Sequence, residues 1–431
     1  MNKPLCTFPW AHLDIETNGD IKYCCASVYS DEHSHLDEHG NHYNVNTHSI
    51  DQAWNSDRIR KLREDLYNGI QAPECQVCWE QEAKDQWSVR KAADQAKNDN
   101  YPNIQTVIDR SAENGFVVDE FPKYYQIQTG NMCNLACKMC HSDYSTTYGE
   151  FYQDLYPDNV NQNKYNSIND NKGNTHRSAE PARYTWPKDI GLKTLLEGEK
   201  ITDIKRLFLS GGEPTIILEN LDFLEHLVNT EQSKKIHLIV ITNSMKINPR
   251  FAEAIKHFNC TTLTLSIDAV GDPIEIQRYP SSWERIDKNI IQYADLAKQH
   301  HNIHLAFNVV VSCLTLPNLD ELLFYLAKNR KRKYDISITS LFSLVHGDLS
   351  LDIVPVSVLE KSKQRIRRAL EINRRSFNQA IIDTVENFIT SLDYQIERND
   401  NDYTDIHFAL DKIQEHHPDR DIKSIFPVYF S

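Results

Sequence analysis

The chain has 431 residues, 47 of them Lys or Arg and 61 Asp or Glu, for a formal net charge of −14. At roughly 150 residues per domain the length predicts two or three domains and excludes a small disulfide-stapled module. The acidic balance argues against a general nucleic-acid coat, whose footprint is basic. No apolar run approaches the ~20 residues that span a bilayer. The opening residues, MNKPLCTFPWAHLD, lack the apolar segment of a secretory signal. The expectation is a cytoplasmic protein with no membrane partner, in a compartment that keeps thiols reduced. There, ten cysteines point to metal or catalysis before disulfides.

Residues 1–95 read as a small α+β unit. TFPWAHLDI (7–15) and DIKYCCASVY (20–29) have strand character, and Thr17-Asn18-Gly19-Asp20 between them is a hairpin-type turn. Residues 50–69 carry Ile59, Leu62 and Leu66 at helical spacing and stop at Gly69. A Cys75-x2-Cys78 turn follows Pro73. Residues 96–122 read as a connector. From 123 to 345 strand-like runs recur: YYQIQT (124–129), RLFLS (206–210), IHLIVIT (236–242), TTLTLSI (261–267), IHLAFNVVV (303–311) and ISITSL (336–341). Helical segments lie between most of them. Asn248-Pro249 opens one as a cap followed by proline at the first helical position. Ser281-Ser282-Trp283-Glu284 opens another with a capping-box pattern. Alternating strands and helices imply βαβ units and a parallel sheet. Six strands are fewer than a closed eight-stranded barrel needs. Residues 141–200 interrupt this array with a polar insertion, Asn-rich over 157–173, that reads as a functional lid or as disorder. Residues 346–431 form a helical C-terminal extension.

Eight cysteines precede residue 141. Cys260 and Cys313 stand alone, and a lone cysteine is usually a small hydrophobe. Cys133-x3-Cys137-x2-Cys140 is a tight loop directly after a strand, at the end where parallel α/β folds place reactive groups. Zinc would need a fourth ligand, which His141 could supply. A four-iron cluster on three thiolates would instead leave one iron open. Downstream, Gly211-Gly212-Glu213-Pro214 ends a strand. Its glycines let a ligand approach the backbone, and exposed carbonyls with Glu213 can accept bonds from an ammonium group.

Together these motifs resemble the radical S-adenosylmethionine (AdoMet) enzymes. The likeness continues through ITNS (241–244), LSIDAVGDPIEIQR (265–278) and FNVVV (307–311), and spans roughly residues 123–345. It implies a partial (β/α)6 barrel. Cys133, Cys137 and Cys140 would hold a [4Fe–4S] cluster that cleaves AdoMet to a 5′-deoxyadenosyl radical, which abstracts hydrogen from a substrate C–H. By the same resemblance Gly211, Gly212, Glu213 and Pro214 bind the methionyl amine, and Ser266 and Asp268 sit near the ribose. Asn308 serves the nucleoside side, Asn243 is a further AdoMet-binding residue, and Arg278 pairs with the AdoMet carboxylate. Met139 stands where the family often has an aromatic residue against adenine. From the residues alone, a helix cap at Asp268 and a surface ion pair at Arg278 are the lesser alternatives.

Cys6, Cys24, Cys75 and Cys78 form the second signal, with Cys25 a spare. Four thiolates suit zinc or a fully ligated iron–sulfur cluster. The spacing of Cys6, Gly19 and Cys24 and the later Cys75-x2-Cys78 resemble the twitch module, a shortened SPASM domain. That module usually follows the barrel, whereas here it comes first. The resemblance implies an auxiliary [4Fe–4S] cluster and a net oxidation of substrate. It also implies a peptide or protein side chain as substrate and a one-electron reductant of flavodoxin or ferredoxin type. A small molecule such as a sugar or aminocyclitol is the alternative, and a non-catalytic metal-binding scaffold is a third reading. Local basic runs such as Lys328–Lys333 leave RNA as a weaker partner class, because the net charge opposes it.

Overall fold

The computed structural model describes residues 5–27, 35–83, 88–91, 93, 101, 103–155, 183–343, 349–398 and 403–430. The Asn-rich part of the predicted insertion, 157–173, lies outside these residues. The chain divides into two compact units. The first comprises Met1–Asn131, Arg183–Val240 and Pro249–Thr261, and the second Met132–Ala182, Ile241–Asn248 and Thr262–Ser431.

The first unit contains β1 (His12–Ile15), β2 (Ile21–Lys22), β3 (Tyr124–Gln128), β4 (Arg206–Ser210) and most of β5 (His237–Thr242), in the order β2-β1-β3-β4-β5. β1 is antiparallel to β2, with Asp14 opposite Lys22. It is parallel to β3, with Asp14 opposite Gln126. β3–β4 and β4–β5 are parallel. Alternation puts Leu13, Ile15, Tyr125, Ile127, Leu207 and Leu209 on one buried face. The other face of the same strands carries His12, Asp14, Gln126 and Phe208. The predicted N-terminal module thus adds two strands beside β3.

The second unit takes over within β6 (Cys260–Ser266) and continues through β7 (Ile303–Val311) and β8 (Ile336–Ser343), in the order β6-β7-β8. β7 and β8 are parallel, with a register shift between Phe307 and Asn308. The helices Trp283–Gln299, Leu319–Lys331, Val356–Asn373, Gln379–Arg398 and Thr404–His416 belong here. All six strands expected of the barrel are present as β3 to β8, each separated from the next by helix, so the α/β class stands. Among the described residues no helix is long and apolar enough to cross a membrane.

Local departures have local causes. The strand expected over 7–15 starts only at His12, because Phe8–Ala11 makes a helical turn with proline in its first positions. The helix expected over 50–69 is two helices, Ile50–Trp54 and Asp57–Tyr67. Ser49 and Ser56 each cap a start, accepting from Gln52 N and Ile59 N. The long helix after residue 281 is capped by Ser282, which accepts from Arg285 N, rather than through Ser281. The connector holds a helix, Ile104–Glu113.

Candidate active site

The three-cysteine loop lies in the second unit and is held by backbone bonds. Cys140 N donates to Cys137 O at 2.9 Å, Ala136 N to Tyr279 O at 2.6 Å and Lys138 N to Gln277 O at 2.8 Å. Side chains tie both flanks: Thr147 Oγ1 donates to Cys133 O at 2.6 Å and Ser145 Oγ to Leu135 O at 2.5 Å. Burial pushes the Cys137 and Cys140 thiols up, and the neighbouring Cys137 and Cys133 raise Cys140 further. The Cys137 and Cys140 thiols cannot ionise together beside Cys133 unless a cationic centre joins them.

Two polar side chains reach the sulfurs. Asn243 Nδ2 donates to Asn134 Oδ1 at 2.8 Å and stands 3.9 Å from Cys133 Sγ. Arg278 Nη1 stands 4.0 Å from Cys137 Sγ. The Arg278 guanidinium also pairs bidentately with Asp268, Nε to Oδ2 at 2.6 Å and Nη2 to Oδ1 at 2.9 Å. Asp268 is fully buried and takes two more bonds, from Gln277 Nε2 at 2.6 Å and Val310 N at 2.9 Å. It is neither a helix cap nor a surface partner. Ser266 is buried at the end of β6. Asn308 accepts from Ser340 Oγ, and Met139 is half-buried.

The Gly211–Pro214 turn belongs to the first unit, where β4 ends. Gly211 has φ +109°, and a Cβ there would meet Gly130 O at 2.8 Å. Gly212 N donates to Gly130 O at 3.0 Å. Two glycine turns therefore pack backbone to backbone. Glu213 is buried, and its Oε1 accepts from Thr215 Oγ1 at 2.6 Å and Thr215 N at 3.2 Å.

A second site lies in the first unit. One pocket is lined by Cys6, Cys24, Cys75 and Cys78 together with Glu74 and Arg90. Gly19 (φ +91°) turns the β1–β2 hairpin, so Cys24 leaves β2 towards Cys6. Cys75 ends a short turn, Pro73–Cys75, and Cys78 lies in the following helix, Gln76–Ala83. The fully buried Arg63 fixes the support by donating to Pro9 O, Trp54 O, Phe116 O and Asn55 Oδ1 at 2.8–3.0 Å. Burial raises the Cys75 and Cys78 thiols. Cys25 is exposed and does not line the pocket. Among the described residues no three Cys, His, Asp or Glu side chains stand close enough together to ligate one metal ion as they are.

Two family models match this chain. The radical SAM superfamily model covers residues 127–305 and an iron–sulfur cluster-binding domain model covers residues 6–79. The chain contains a radical SAM domain. The first match spans Cys133, Cys137, Cys140 and the Gly211–Pro214 turn, and the second spans all four pocket cysteines. The radical SAM cyclopropyl synthase TigE of Paramaledivibacter caminithermalis is 26% identical over 245 residues, 55% of this chain and 46% of that protein. The chain thus spans about half the length of this curated relative. Among solved structures, Streptococcus suis SuiB bound to precursor peptide SuiA aligns at 14% identity over 65% of this chain and 52% of that one, with a TM-score of 0.37. The native anSMEcpe structure with bound AdoMet aligns at 14% identity over 58% and 59%, with a TM-score of 0.34.

A radical SAM domain uses AdoMet and a [4Fe–4S] cluster, and the preceding domain binds an auxiliary iron–sulfur cluster. The residues fit these groups. Both cysteine sets are soft all-sulfur donors, and their raised thiols at Cys24, Cys75, Cys78, Cys137 and Cys140 need a positive centre, while the Gly211 turn leaves no room for a side chain. Three features of this radical SAM chain escape a reading of its sequence. Gln277, next to Arg278, bridges Asp268 to Val310 O at 3.1 Å and accepts from Ser312 Oγ. Asp14 is a carboxylate in an apolar strand, and nothing in HLDI announces that it is fully buried. Lys138 is buried between two cysteines and reaches the C-terminal extension, which nothing local announces.

Proposed function

We propose that the chain reductively cleaves AdoMet at a cluster held by Cys133, Cys137 and Cys140 and removes hydrogen from a C–H of a peptide or protein side chain. The observation that carries this is that one loop sets Cys133, Cys137 and Cys140 close enough for the first two to raise the third, with the Asn243 amide and the Arg278 guanidinium reaching their sulfurs. Cys133, Cys137 and Cys140 would hold a cluster that supplies the electron for splitting AdoMet, and Cys6, Cys24, Cys75 and Cys78 would hold an auxiliary cluster able to take one electron from the substrate radical. Asn243 and Arg278 orient the loop. The Gly211–Gly212 backbone and Glu213 take the AdoMet amine, Pro214 fixes their turn, and Met139 faces adenine. Ser266 and Asn308 serve the ribose and the nucleoside.

The division of labour follows the chain: residues 1–95 for the auxiliary site, 96–122 as connector, 123–345 for the radical SAM barrel and 346–431 as extension. A peptide substrate is supported by the auxiliary-cluster domain, since the twitch and SPASM group that it resembles often acts on peptides. The relative TigE is a cyclopropyl synthase. Closing a C–C bond between two C–H carbons removes two hydrogens, which is the net oxidation an auxiliary electron acceptor suits. A flavodoxin- or ferredoxin-type reductant and a cytoplasmic location complete the reading.

The test is anaerobic reconstitution with iron and sulfide, then dithionite and AdoMet. Wild type releases 5′-deoxyadenosine and Cys137→Ala releases none. Intact AdoMet with iron-loaded wild type, or undiminished release by Cys137→Ala, overturns the proposal. Turnover coupled to a sugar panel but to no member of a peptide library overturns the peptide assignment alone.

A further inference from the structure

The basic run Lys328–Lys333 has no part in the chemistry above, and in the second unit it meets another basic segment. Residues 330–335 end the helix Leu319–Lys331 and lead into β8, while Arg375 and Ser376 lie in the turn Arg374–Ser376. The two segments line one cavity of about 470 Å³. Arg330, Lys331, Lys333 and Arg375 line it against a single carboxylate, Asp335. Arg330 takes that carboxylate, Nη1 donating to Oδ1 at 2.6 Å. Lys331, Lys333 and Arg375 are exposed, and none of the three has a carboxylate partner among the described residues. Like charges gathered in this way repel until an anion joins them. The surplus stands out in a chain of net charge −14.

Arg330 ties the two segments together. Its Nε donates to Ser376 O at 2.8 Å and its Nη1 to Ile336 O at 2.9 Å, while Nη2 has no acceptor among the described residues. The Tyr334 side chain is held as well: its hydroxyl donates to Asp295 Oδ1 at 2.8 Å, and the Lys298 ammonium lies 5.8 Å from its ring centre. Guanidinium and ring are thus set in place before any ligand arrives. Lys333 is a second, independent sign. It stands at φ +67° where the helix closes, with Lys333 N donating to Arg330 O at 2.9 Å and Tyr334 N to Asn329 O at 3.2 Å. Glycine is the usual residue at that position, because a Cβ strains the left-handed conformation. Lysine here carries the strain and adds a cation to a cluster that already repels. Neither stabilises the fold, and such outliers gather at functional sites.

We propose that this cavity binds a multiply charged oxyanion of the phosphate class, at a site separate from the AdoMet chemistry. Lys331 and Lys333 bring point charges on flexible stems, and Arg330 Nη2 and the Arg375 fork bring directional donors, a set that matches the several oxygens of a phosphate. The cavity has the volume of a small-molecule site rather than of a bare phosphate, so the phosphate is carried on a larger molecule. Residues 330–335 precede β8, which puts the cavity at the N-terminal end of that strand. Parallel α/β folds place their reacting groups at the other end. The ligand is therefore not the molecule whose C–H is attacked, and the site stands whether or not the cluster reading holds.

The experiment is calorimetric titration of the full-length protein, in phosphate-free buffer, with inorganic pyrophosphate, glucose 6-phosphate, hexaglutamate and a uridine oligoribonucleotide. Pyrophosphate or glucose 6-phosphate binds, more weakly as ionic strength rises, and the tighter of the two tells a bare from a sugar-borne phosphate. Lys333→Gly and Arg375→Gln each weaken that binding about tenfold. Arg332→Gln, which removes a neighbouring cation outside the cavity, leaves it unchanged. Lys333→Gly also relieves the left-handed strain, so its melting temperature rises while its affinity falls. Saturating AdoMet leaves the affinity as it was, and competition between the two overturns the separate site. No binding of either phosphate overturns the proposal, as does wild-type affinity in both Lys333→Gly and Arg375→Gln. An equal loss in Arg332→Gln overturns it too, because diffuse charge would then explain the binding. Hexaglutamate binding as tightly as the phosphates overturns the phosphate class, and binding of the oligoribonucleotide alone assigns the patch to RNA instead.

Discussion

Asp14 shows how one buried group sets a pH response. Its carboxylate is fully buried on β1, and among the described residues neither oxygen has a partner in full hydrogen-bond geometry. Lys22, opposite it across the strands, pairs with Glu16 instead, and Gln128 is the amide that faces it. Burial, then the charges of Cys25 and Glu16, raise its carboxyl well above the ordinary 3.8. An acid with a raised folded-state pKa binds its proton longer when folded, so it subtracts stability as pH rises above about 4. His12 and His35 act oppositely. Burial lowers both to about 4 from 6.5. They are neutral in the fold, so stability is present above 6.5 and is lost as pH falls from there towards 4. Asp14→Asn keeps the shape without the charge. It should stabilise the protein by about 1–3 kcal/mol at pH 7 and by nothing at pH 4. Its melting temperature should therefore fall more steeply on acidification than that of wild type. Thermal melts across pH 4–8 decide, and parallel curves would refute the protonated-carboxyl account.

Among elements, the two glycine turns after β3 and β4 are the least replaceable. A Cβ at Gly211 meets the backbone atoms Gly130 O at 2.8 Å and Thr129 N at 3.0 Å, at φ +109°. Gly115, at φ +61°, has nothing within 4 Å of its Cβ position. Gly115→Ala should cost about 1–2 kcal/mol of left-handed strain. Gly211→Ala adds a backbone clash that no rotamer relieves, so its loss of stability should exceed that of Gly115→Ala, and AdoMet binding should weaken only there. Denaturant titration and AdoMet affinity of the two variants test the ranking. Such turns were legible because glycine, proline and apolar runs act over a few residues. β3 to β8 were legible for the same reason, whereas the break that gives two short helices capped by Ser49 and Ser56 was not. Pairing at long range was not. Nothing in HLDI names YYQIQ as its parallel neighbour, although Asp14 lies opposite Gln126. The Asp268–Arg278 pair spans ten residues of turn and helix, and Lys138–His416 spans most of the chain. Those contacts come from tertiary closure, which leaves no local period to read.

At the scale of the whole molecule the ten cysteines divide by environment rather than by count. Cys313 is fully buried, and its carbonyl accepts from Tyr429 Oη at 2.5 Å. It packs like a small hydrophobe. Cys25 lies beside Cys24 in sequence but is exposed, outside the pocket that Cys6, Cys24, Cys75 and Cys78 line. Its thiol is lowered by a hydrogen bond with Cys24, whose own thiol is raised by it. That split makes Cys25 the more reactive of the two towards alkylation and the less apt to be enclosed as a ligand. Two four-iron sites predict about eight irons per reconstituted chain. Cys25→Ala and Cys313→Ala should keep about eight. Cys78→Ala should keep about four and still release 5′-deoxyadenosine from AdoMet, because the loop of Cys133, Cys137 and Cys140 is untouched. Cys137→Ala should also keep about four irons but release none. Iron analysis beside 5′-deoxyadenosine release separates the cases. If Cys25→Ala loses four irons while Cys24→Ala keeps eight, the ligand is the exposed thiol and the pocket assignment is wrong. Equal losses of 5′-deoxyadenosine in Cys78→Ala and Cys137→Ala would instead mean that the two sites do not act separately.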